Sequence, residues 1–520
     1  MSQTHDDSSP AMIRTDLRGG ILLAVLDMPG RTMNVFSWEL MNQLEALIGR
    51  VERDDGIQAV VLTSGKPSFL AGADLDMVRG FTEMGRTASR ADLHERCGRL
   101  GRLFVRLESL AKPWVAAVNG LALGGGLELA MACRYRLAAD DPRIQLGLPE
   151  IRLGLLPGAG GTQRLPRLVG FEKGMELLLS GKPVSPAEAK ALGLMDELVP
   201  ANRLIDRAVE VARKLAGKPG GSRLPPRLDT GDFDPAAPDV VRRVTRRYGH
   251  PDAVTEAYPA YDAIVRATLE GAGKPMRDGG EIEMERFVDL MQNEVAGNMV
   301  TVLFLDRQKA DKLLLQAPKP DGVRFAVTGE GAGAQRLRAM LAVAKVAEVD
   351  AAQAGETDVV IAPAGDAMAK RADLRLLDSA DDRIGGTAGI HVRRSAHHGT
   401  VVEIVTAGGE EPGKALALAR QLRATPYLHA GSRSLLAALA DVERRAAEAG
   451  LPEAAILAAQ ALAAGTLDAE GGIGDRAMAD VACAVAGVFP AHAGGPFLHL
   501  ARHGADALAA QAAGVPALPG

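Results

Sequence analysis

A chain of 520 residues with a formal net charge of −5 is long enough for several cores, about two to four domains, and has no overall attraction to nucleic acid or an anionic membrane surface. Hydrophobic residues make up 47% and charged residues 24%, a globular balance, and aromatics at 3% leave the packing to Leu, Val, Ile, Ala and Met. Cys97, Cys133 and Cys483 are too far apart for a disulfide framework or a metal-ligand spacing, no apolar run reaches membrane-spanning length, and the polar, acidic start lacks a signal-peptide core, so a cytoplasmic location is expected.

In chain order, residues 1–11 read as a disordered tail. A strand is expected over Ile21–Leu26, then a helix from about Ser37, where Leu40, Met41, Leu44, Leu47, Ile48 and Val51 recur at helical spacing. Strand Ala59–Thr63 follows, then a helical region around Leu93 to Leu110, strand Trp114–Val118, a helix opened by Gly125, and strand Tyr135–Ala139. Helix–turn units continue to about Pro200. Residues 217–239, rich in Pro, Gly and Asp, read as a linker or long loop. The longest amphipathic helix is expected from about Glu281 to Leu315, ended by Ala317-Pro318-Lys319-Pro320-Asp321-Gly322. Beyond it, residues 323–328 and 358–362 read as strands. Strands alternating with helices indicate an α/β class. Periodicity alone leaves a doubly wound sheet and a spiral of ββα turns equally open.

Chemistry concentrates in three segments. Asn119 to Ala130 runs from a strand through Gly124-Gly125-Gly126 into a helix with Glu128 on its first turn. Glycines at such a turn leave N–H groups unshielded and let a ligand approach closely. Alone, the segment is equally a tight turn beside an exposed Glu. Upstream is Ser68-Phe69-Leu70-Ala71-Gly72-Ala73-Asp74-Leu75. Downstream, Leu146-Gly147-Leu148-Pro149-Glu150 leads to Pro157-Gly158-Ala159-Gly160-Gly161-Thr162-Gln163-Arg164. There is no metal cluster and no Ser/His/Asp triad.

These segments, in this order, resemble the enoyl-CoA hydratase (crotonase) superfamily over roughly residues 12 to 290. The Glu128–Glu150 spacing is most similar to the hydratase half of multifunctional fatty-acid oxidation alpha subunits. The resemblance implies the ββα spiral and the hydration of a trans-2-enoyl-CoA to a 3-hydroxyacyl-CoA in fatty-acid β-oxidation. It makes the backbone N–H groups of Ala73 and Gly125 an oxyanion hole. Gly125 suits that role physically, since the first N–H groups of a helix lack internal partners. Glu128 would hold and activate water, and Glu150 would exchange the proton at C2. Ala71, Gly72, Asp74 and Gly124 would contact substrate, the Ala71-Gly72-Ala73 backbone taking the adenine end of CoA. Asp74 is equally a cap for a helix starting at Leu75, and Arg164 is either a CoA-phosphate ligand or a surface salt bridge. An isomerase using one Glu remains open beside the hydratase.

In the second half, Gly329-Glu330-Gly331-Ala332-Gly333-Ala334 fits Gly-x-Gly-x-x-Ala, with Asp350 about 20 residues on. His391 and Glu403 have a spacing similar to the His–Glu pair of 3-hydroxyacyl-CoA dehydrogenases, and Gly494-Gly495-Pro496-Phe497 resembles that family's terminal helical domain. The departures are several. The helical stretch after Asp350 is missing, as is the Asn-Thr-Ser segment before the His, and Ser432 stands where the family has Asn. The expected organisation is therefore a tail (1–11), a crotonase-like hydratase domain (12–280), a linker helix (281–318), a shortened Rossmann-like domain (319–407) and a helical domain (408–520). The dehydrogenase half is expected to be inactive, with Gly329, Gly331, His391 and Glu403 vestigial. Hydration needs no cofactor beyond the CoA thioester itself, and NAD binding is not expected. His397 and His398 are expected to be exposed loop residues. A bifunctional hydratase–dehydrogenase using NAD and a scaffold that holds a thiolase β subunit are the alternatives. An oligomer is expected, with acyl-CoA as ligand and no nucleic acid.

Overall fold

The computed structural model describes residues 10–218, 221–318, 323–355, 358–363, 366, 368, 371–377, 379, 382, 387–395, 398–406, 410–513 and 515. The chain forms two compact units, Met1–Gly297 and Asn298–Gly520.

The first unit opens with a hairpin of β1 (Ile13–Arg18) and β2 (Ile21–Leu26) about Gly19 and Gly20. Both glycines have positive φ, 54° and 79°, which a two-residue hairpin turn favours. The sequence reading passed over β1, whose residues are nearly all exposed and carry no apolar alternation. There follow α1 (Trp38–Arg53), β3 (Ala59–Ser64), α2 (Leu75–Thr87), α3 (Arg90–Ser109), β4 (Trp114–Val118), β5 (Ala122–Leu123), α4 (Gly125–Ala132), β6 (Tyr135–Ala139) and β7 (Leu146–Gly147). After a 3-10 turn at Glu150–Leu153 come α5 (Gly161–Val169), α6 (Phe171–Ser180), α7 (Pro186–Ala191), β8 (Glu197–Val199), α8 (Leu204–Leu215), α9 (Val240–Arg247), α10 (Asp252–Ala257), α11 (Ala260–Gly271) and α12 (Met276–Met291).

The main sheet has the order β1-β2-β3-β4-β6-β8, and β5 pairs with β7 in a second, two-stranded sheet. After the antiparallel hairpin, every pairing in the main sheet is parallel. β3 and β4 are buried along their whole length, as parallel strands covered on both faces must be. The order climbs without reversing, so there is no switch point of the doubly wound kind. The chain advances as a spiral, and the turn β4-β5-α4 places one strand in each sheet before the helix. α1 shows how sequence sets one such element. Ser37 accepts from Leu40 N–H at 3.2 Å as its N-cap, and Leu40, Leu44, Ile48 and Val51 line its buried face.

Asn34 pins this spiral where the site will form. It is fully buried, and its Nδ2 donates to Leu26 O (3.0 Å), Ser64 Oγ (2.9 Å) and Phe69 O (3.3 Å), while Oδ1 accepts from Met28 N–H (3.0 Å). Its own carbonyl takes Ala71 N–H at 2.9 Å.

The single helix expected over 281–318 is not formed. α12 begins at Met276 and stops at Met291. α13 (Glu294–Val300) restarts after Asn293, whose Oδ1 accepts from Val295 N–H at 2.9 Å. Such a side-chain bond competes with the helical ladder and starts a new one. Thr301–Leu305 is a π-helical turn and α14 (Arg307–Gln316) completes the run. The division between the units falls inside α13. Lys319 to Gly322 lie outside the described residues.

The second unit carries β9 (Phe325–Val327), α15 (Ala332–Val343), β10 (Val359–Pro363), β11 (Leu374–Leu376), β12 (Gly389–Ser395), β13 (Gly399–Val405), α16 (Gly413–Gln421), β14 (Thr425–His429) and α17 (Leu435–Glu448). Further helices follow at Glu453–Ala469, Arg476–Ala486, Pro496–His503 and Ala505–Gln511. Its sheet runs β14-β13-β12-β11-β10-β9, with β12 and β13 antiparallel and the remaining pairs parallel. Where a second strand would follow α15, a lone bridge joins Phe325 to Glu348.

Replacing Asn34 with Ala removes several buried hydrogen bonds and leaves Met28 N–H without its acceptor. The expected cost is about 2–4 kcal/mol, read as a lower urea midpoint for the first unit, with the second unit's transition unchanged.

Candidate active site

The segments preceding α2 and α4 are laced together. Phe69 and Leu70 N–H donate to Leu121 O (2.9 and 3.2 Å), and Leu123 N–H donates to Leu70 O (3.1 Å). Gly126 is required at this seam, since a Cβ there would lie 2.2 Å from Leu70 O. Phe36 N–H donates to Gly72 O (2.8 Å) and Asp74 N–H to Phe36 O (2.7 Å), which brackets Ala73. The N–H groups of Ala73 and Gly125 have no partner among the described residues. Between them stands Gly124, at φ 52° and ψ −128°, with its N–H on Gly147 O at 2.9 Å. A Cβ on Gly124 would lie 2.7 Å from Glu150 Oε1 and 3.8 Å from Gly72 Cα. Gly72, Gly124 and Glu150 are thus neighbours.

Glu128, on α4, is 2% exposed, so it is not the solvated first-turn residue that a glycine turn alone allows. Its Oε1 accepts from Ala159 N–H and Gly161 N–H, both at 2.8 Å, and Oε2 is left without a partner. Burial pushes its pKa up to about 7 against those two N–H groups and the Arg164 charge. Glu150 opens the 3-10 turn, and its buried Oε2 has no hydrogen-bond partner in the protein. Burial first, then the Glu128 charge and to a lesser degree that of Glu283, hold Glu150 well above the usual carboxylate range. The site therefore offers two carboxylates that keep protons near neutrality, beside two unengaged N–H groups.

A third carboxylate belongs here. Glu283, on α12, is 1% exposed and accepts from Gly160 N–H (2.6 Å), Thr162 N–H (2.9 Å) and Thr162 Oγ1 (2.5 Å). Burial and the Glu128 charge push it up to about 8. Sequence reasoning had no signal for it, because it sits on an amphipathic helix 123 residues beyond Gly160.

Two peripheral residues are resolved. Asp74 caps α2, accepting from Asp76 N–H at 2.9 Å, and pairs with Arg31 at 2.5 Å. Arg164 is neither a phosphate ligand nor a surface salt bridge. It is fully buried, donates to Ala159 O (2.7 Å) and pairs with Glu108 at 3.1 Å.

In the second unit Gly329 (φ 77°) and Gly331 lie between β9 and α15, with Gly331 the N-cap. Arg338 donates to the carbonyls of Val327 (2.7 Å) and Gly329 (2.9 Å). Asp350 caps a 3-10 turn through Ala352 N–H (2.8 Å). His391 and Glu403 face each other across β12 and β13 without a hydrogen bond. His391 Nδ1 lies 2.7 Å from Leu377 O. Glu403 accepts instead from His429 Nε2 (3.0 Å), Ser434 Oγ and Leu435 N–H (2.6 Å). Burial alone would raise the Glu403 pKa, but the His429 bond and charge bring it below the ordinary value. Ser432 is exposed, and His398 is half-buried in the turn between β12 and β13, not exposed as expected. His397 lies outside the described residues. Among the described residues no helix is long and apolar enough to cross a membrane, and no group of His, Cys, Asp and Glu is arranged to hold a metal ion.

Residues 18–222 match the family model described as Enoyl-CoA hydratase/isomerase. They belong to that family. The match covers the whole of the main sheet from β2 to β8, with its climbing strand order. Similar curated proteins are the fatty acid oxidation complex subunits alpha of Shewanella sp. strain ANA-3, 36% identical over 59% of this chain and 43% of the relative, and of Idiomarina loihiensis, 36% identical over 68% and 47%. The chain spans less than half the length of these relatives. Among solved structures, an enoyl-CoA hydratase from Bacillus anthracis is 27% identical, with a TM-score of 0.36, covering 58% of this chain and 96% of that one.

Raised carboxylates make stability fall with pH. The native hydratase/isomerase unit keeps protons on Glu128, Glu150 and Glu283 that the unfolded chain gives up above about pH 4.5. Its urea midpoint is expected to decline between about pH 5 and about pH 8. In the second unit, Glu403→Ala strips the buried anchor from the start of α17 and leaves His429 Nε2 without its partner. A loss of about 3 kcal/mol is expected in that unit's unfolding transition.

Proposed function

We propose that the N-terminal unit adds water to a trans-2-enoyl-CoA, giving a 3-hydroxyacyl-CoA as in fatty-acid β-oxidation. The observation that carries this reading is the meeting of two proton-holding carboxylates with two unengaged N–H groups. The thioester oxygen is held by the N–H groups of Ala73 and Gly125, which draw electron density from C3 and stabilise the enolate oxygen; donors of this kind contribute on the order of a hundredfold or more in rate. Glu128, fixed through Oε1, presents Oε2 to water and takes its proton as the oxygen bonds to C3. The C2–C3 π pair moves onto the C1–C2 enolate. Glu150, held protonated by its burial and by the Glu128 charge, delivers a proton to C2 as the thioester carbonyl re-forms. The free acceptor near the CoA end is the Ala71 carbonyl, because Ala71 N–H and Gly72 O are already engaged.

Water addition requires ionised Glu128 and protonated Glu150. Activity therefore rises as pH passes about 7 and falls once Glu150 loses its proton. Two carboxylates favour hydration over isomerisation, for which one suffices. No cofactor enters these steps.

The second unit is read as lacking dehydrogenase activity. What supports this is the engagement of Glu403 by His429 and Ser434 instead of His391, together with the reduction of the strand after α15 to one bridge. These residues do not fit an NAD site. The name of the Shewanella relative supports a place in an oligomeric complex, and a thiolase β subunit is the partner we propose. Three free, buried cysteines agree with a cytoplasmic location.

Glu128→Gln and Glu150→Gln are each expected to lower kcat for a short enoyl-CoA by about 10²–10⁴-fold, followed by loss of the conjugated thioester absorbance. Full activity in both variants would end this reading. Titration with NADH, followed by fluorescence, is expected to show no saturable binding.

A further inference from the structure

Hydration as derived above uses Glu128 and Glu150 and leaves Glu283 without a task. Yet Glu283 holds the same loop as Glu128. The N–H groups of four successive residues alternate, with Ala159 and Gly161 on Glu128 and Gly160 and Thr162 on Glu283. Gly160 makes the alternation possible. It is left-handed at φ 96° and ψ 11°, and a Cβ there would lie 1.9 Å from Arg164 Nη1. Alternating right- and left-handed residues gather N–H groups into an anion-holding concavity. Gly160 N–H shares one rigid peptide plane with the Ala159 carbonyl, which accepts from Arg164 at 2.7 Å, so a rotation that releases Gly160 N–H from Glu283 also strains that bond and disturbs Ala159, whose own N–H holds Glu128.

We propose that Glu283 is a positioning residue for hydration: by holding Gly160 and Thr162 it aims the N–H groups of Ala159 and Gly161 at Glu128, and so fixes where Glu128 meets water. This rests on the hydratase reading above.

The charges around Glu283 set when it can do this. Glu128 faces it from α4, with Glu150 beyond. Arg164 of α5 is tied to Glu108. A cavity of about 360 Å³ borders Glu283 and is lined by Arg102 and Arg106 of α3 and by Arg277 and Glu281 of α12. With its pKa raised to about 8, Glu283 keeps its proton beside an ionised Glu128 at neutral pH. Above that pH two adjacent negative charges share four N–H groups, the loop is pushed apart, and kcat declines.

The test uses the full-length chain with Glu283→Ala and Glu283→Gln, assayed on a short trans-2-enoyl-CoA from about pH 6 to about pH 9. Ala is expected to lower kcat about 100-fold with KM within about threefold, as misplacing a catalytic group does. Gln, which carries no charge and keeps an acceptor oxygen for one of the two N–H groups, is expected to recover activity to within about tenfold of wild type and to shift the alkaline decline upward from about pH 8, leaving the limb set by Glu150. An unchanged kcat in the Ala variant, or an unaltered decline in the Gln variant, overturns the proposal. If the Ala variant does not fold, the Gln pH profile decides. A crystal structure of either folded variant supplies a readout independent of turnover. In the Ala variant Ala159 and Gly161 N–H should leave Glu128, and retention of both bonds overturns the proposal. A wild-type protein without hydration whose loop moves in this way would refute the hydratase reading alone.

Discussion

Four consecutive main-chain N–H groups at the start of α5 are shared between two buried carboxylates, and the rest of the first unit is arranged around that constraint. A carboxylate removed from water needs donors or cations. Glu128 and Glu283 obtain theirs from the backbone of residues 159–162, with Arg164 close by and neutralised by Glu108. Donors of this kind stabilise the anion without abolishing the effect of burial, so both groups titrate near neutrality. Chemistry that must move protons at physiological pH needs groups so tuned.

The fold supplies the convergence. Each turn of the spiral brings the end of one parallel strand next to the end of the one before. Loops some fifty residues apart in sequence, such as those holding Gly72 and Gly124, therefore become neighbours. Asn34 locks the ends of β2 and β3 and the loop at Phe69 with one amide.

What could be read from sequence was what is local. Gly124-Gly125-Gly126, the Ala71-Gly72-Ala73 turn and the glycine-rich loop after Glu150 carry their signal in neighbouring residues, and the structure brings them together. The strand edges of β2, β4 and β6 also followed from short apolar runs. What escaped depends on partners distant in sequence. The periodicity of α12 marks Glu283 only as part of a half-buried face. Arg164 looks like a surface cation until Glu108 is placed beside it. The break before α13 turns on one Asn side chain within an otherwise helical pattern. In the second unit, the spacing of His391 and Glu403 does place them opposite each other across two strands. Spacing cannot tell which imidazole Glu403 will choose, and it is His429, contributed by β14.

The placement of α12 changes where the first unit can end. A fragment cut after residue 280 would retain the segment that matches the family model, together with Glu128, Glu150 and the unengaged N–H groups of Ala73 and Gly125. It would nonetheless expose Gly160 and Thr162 to solvent, with the glycine loop free to drift. The match to the family model, which stops at residue 222, thus ends on this chain short of the helix its electrostatics require.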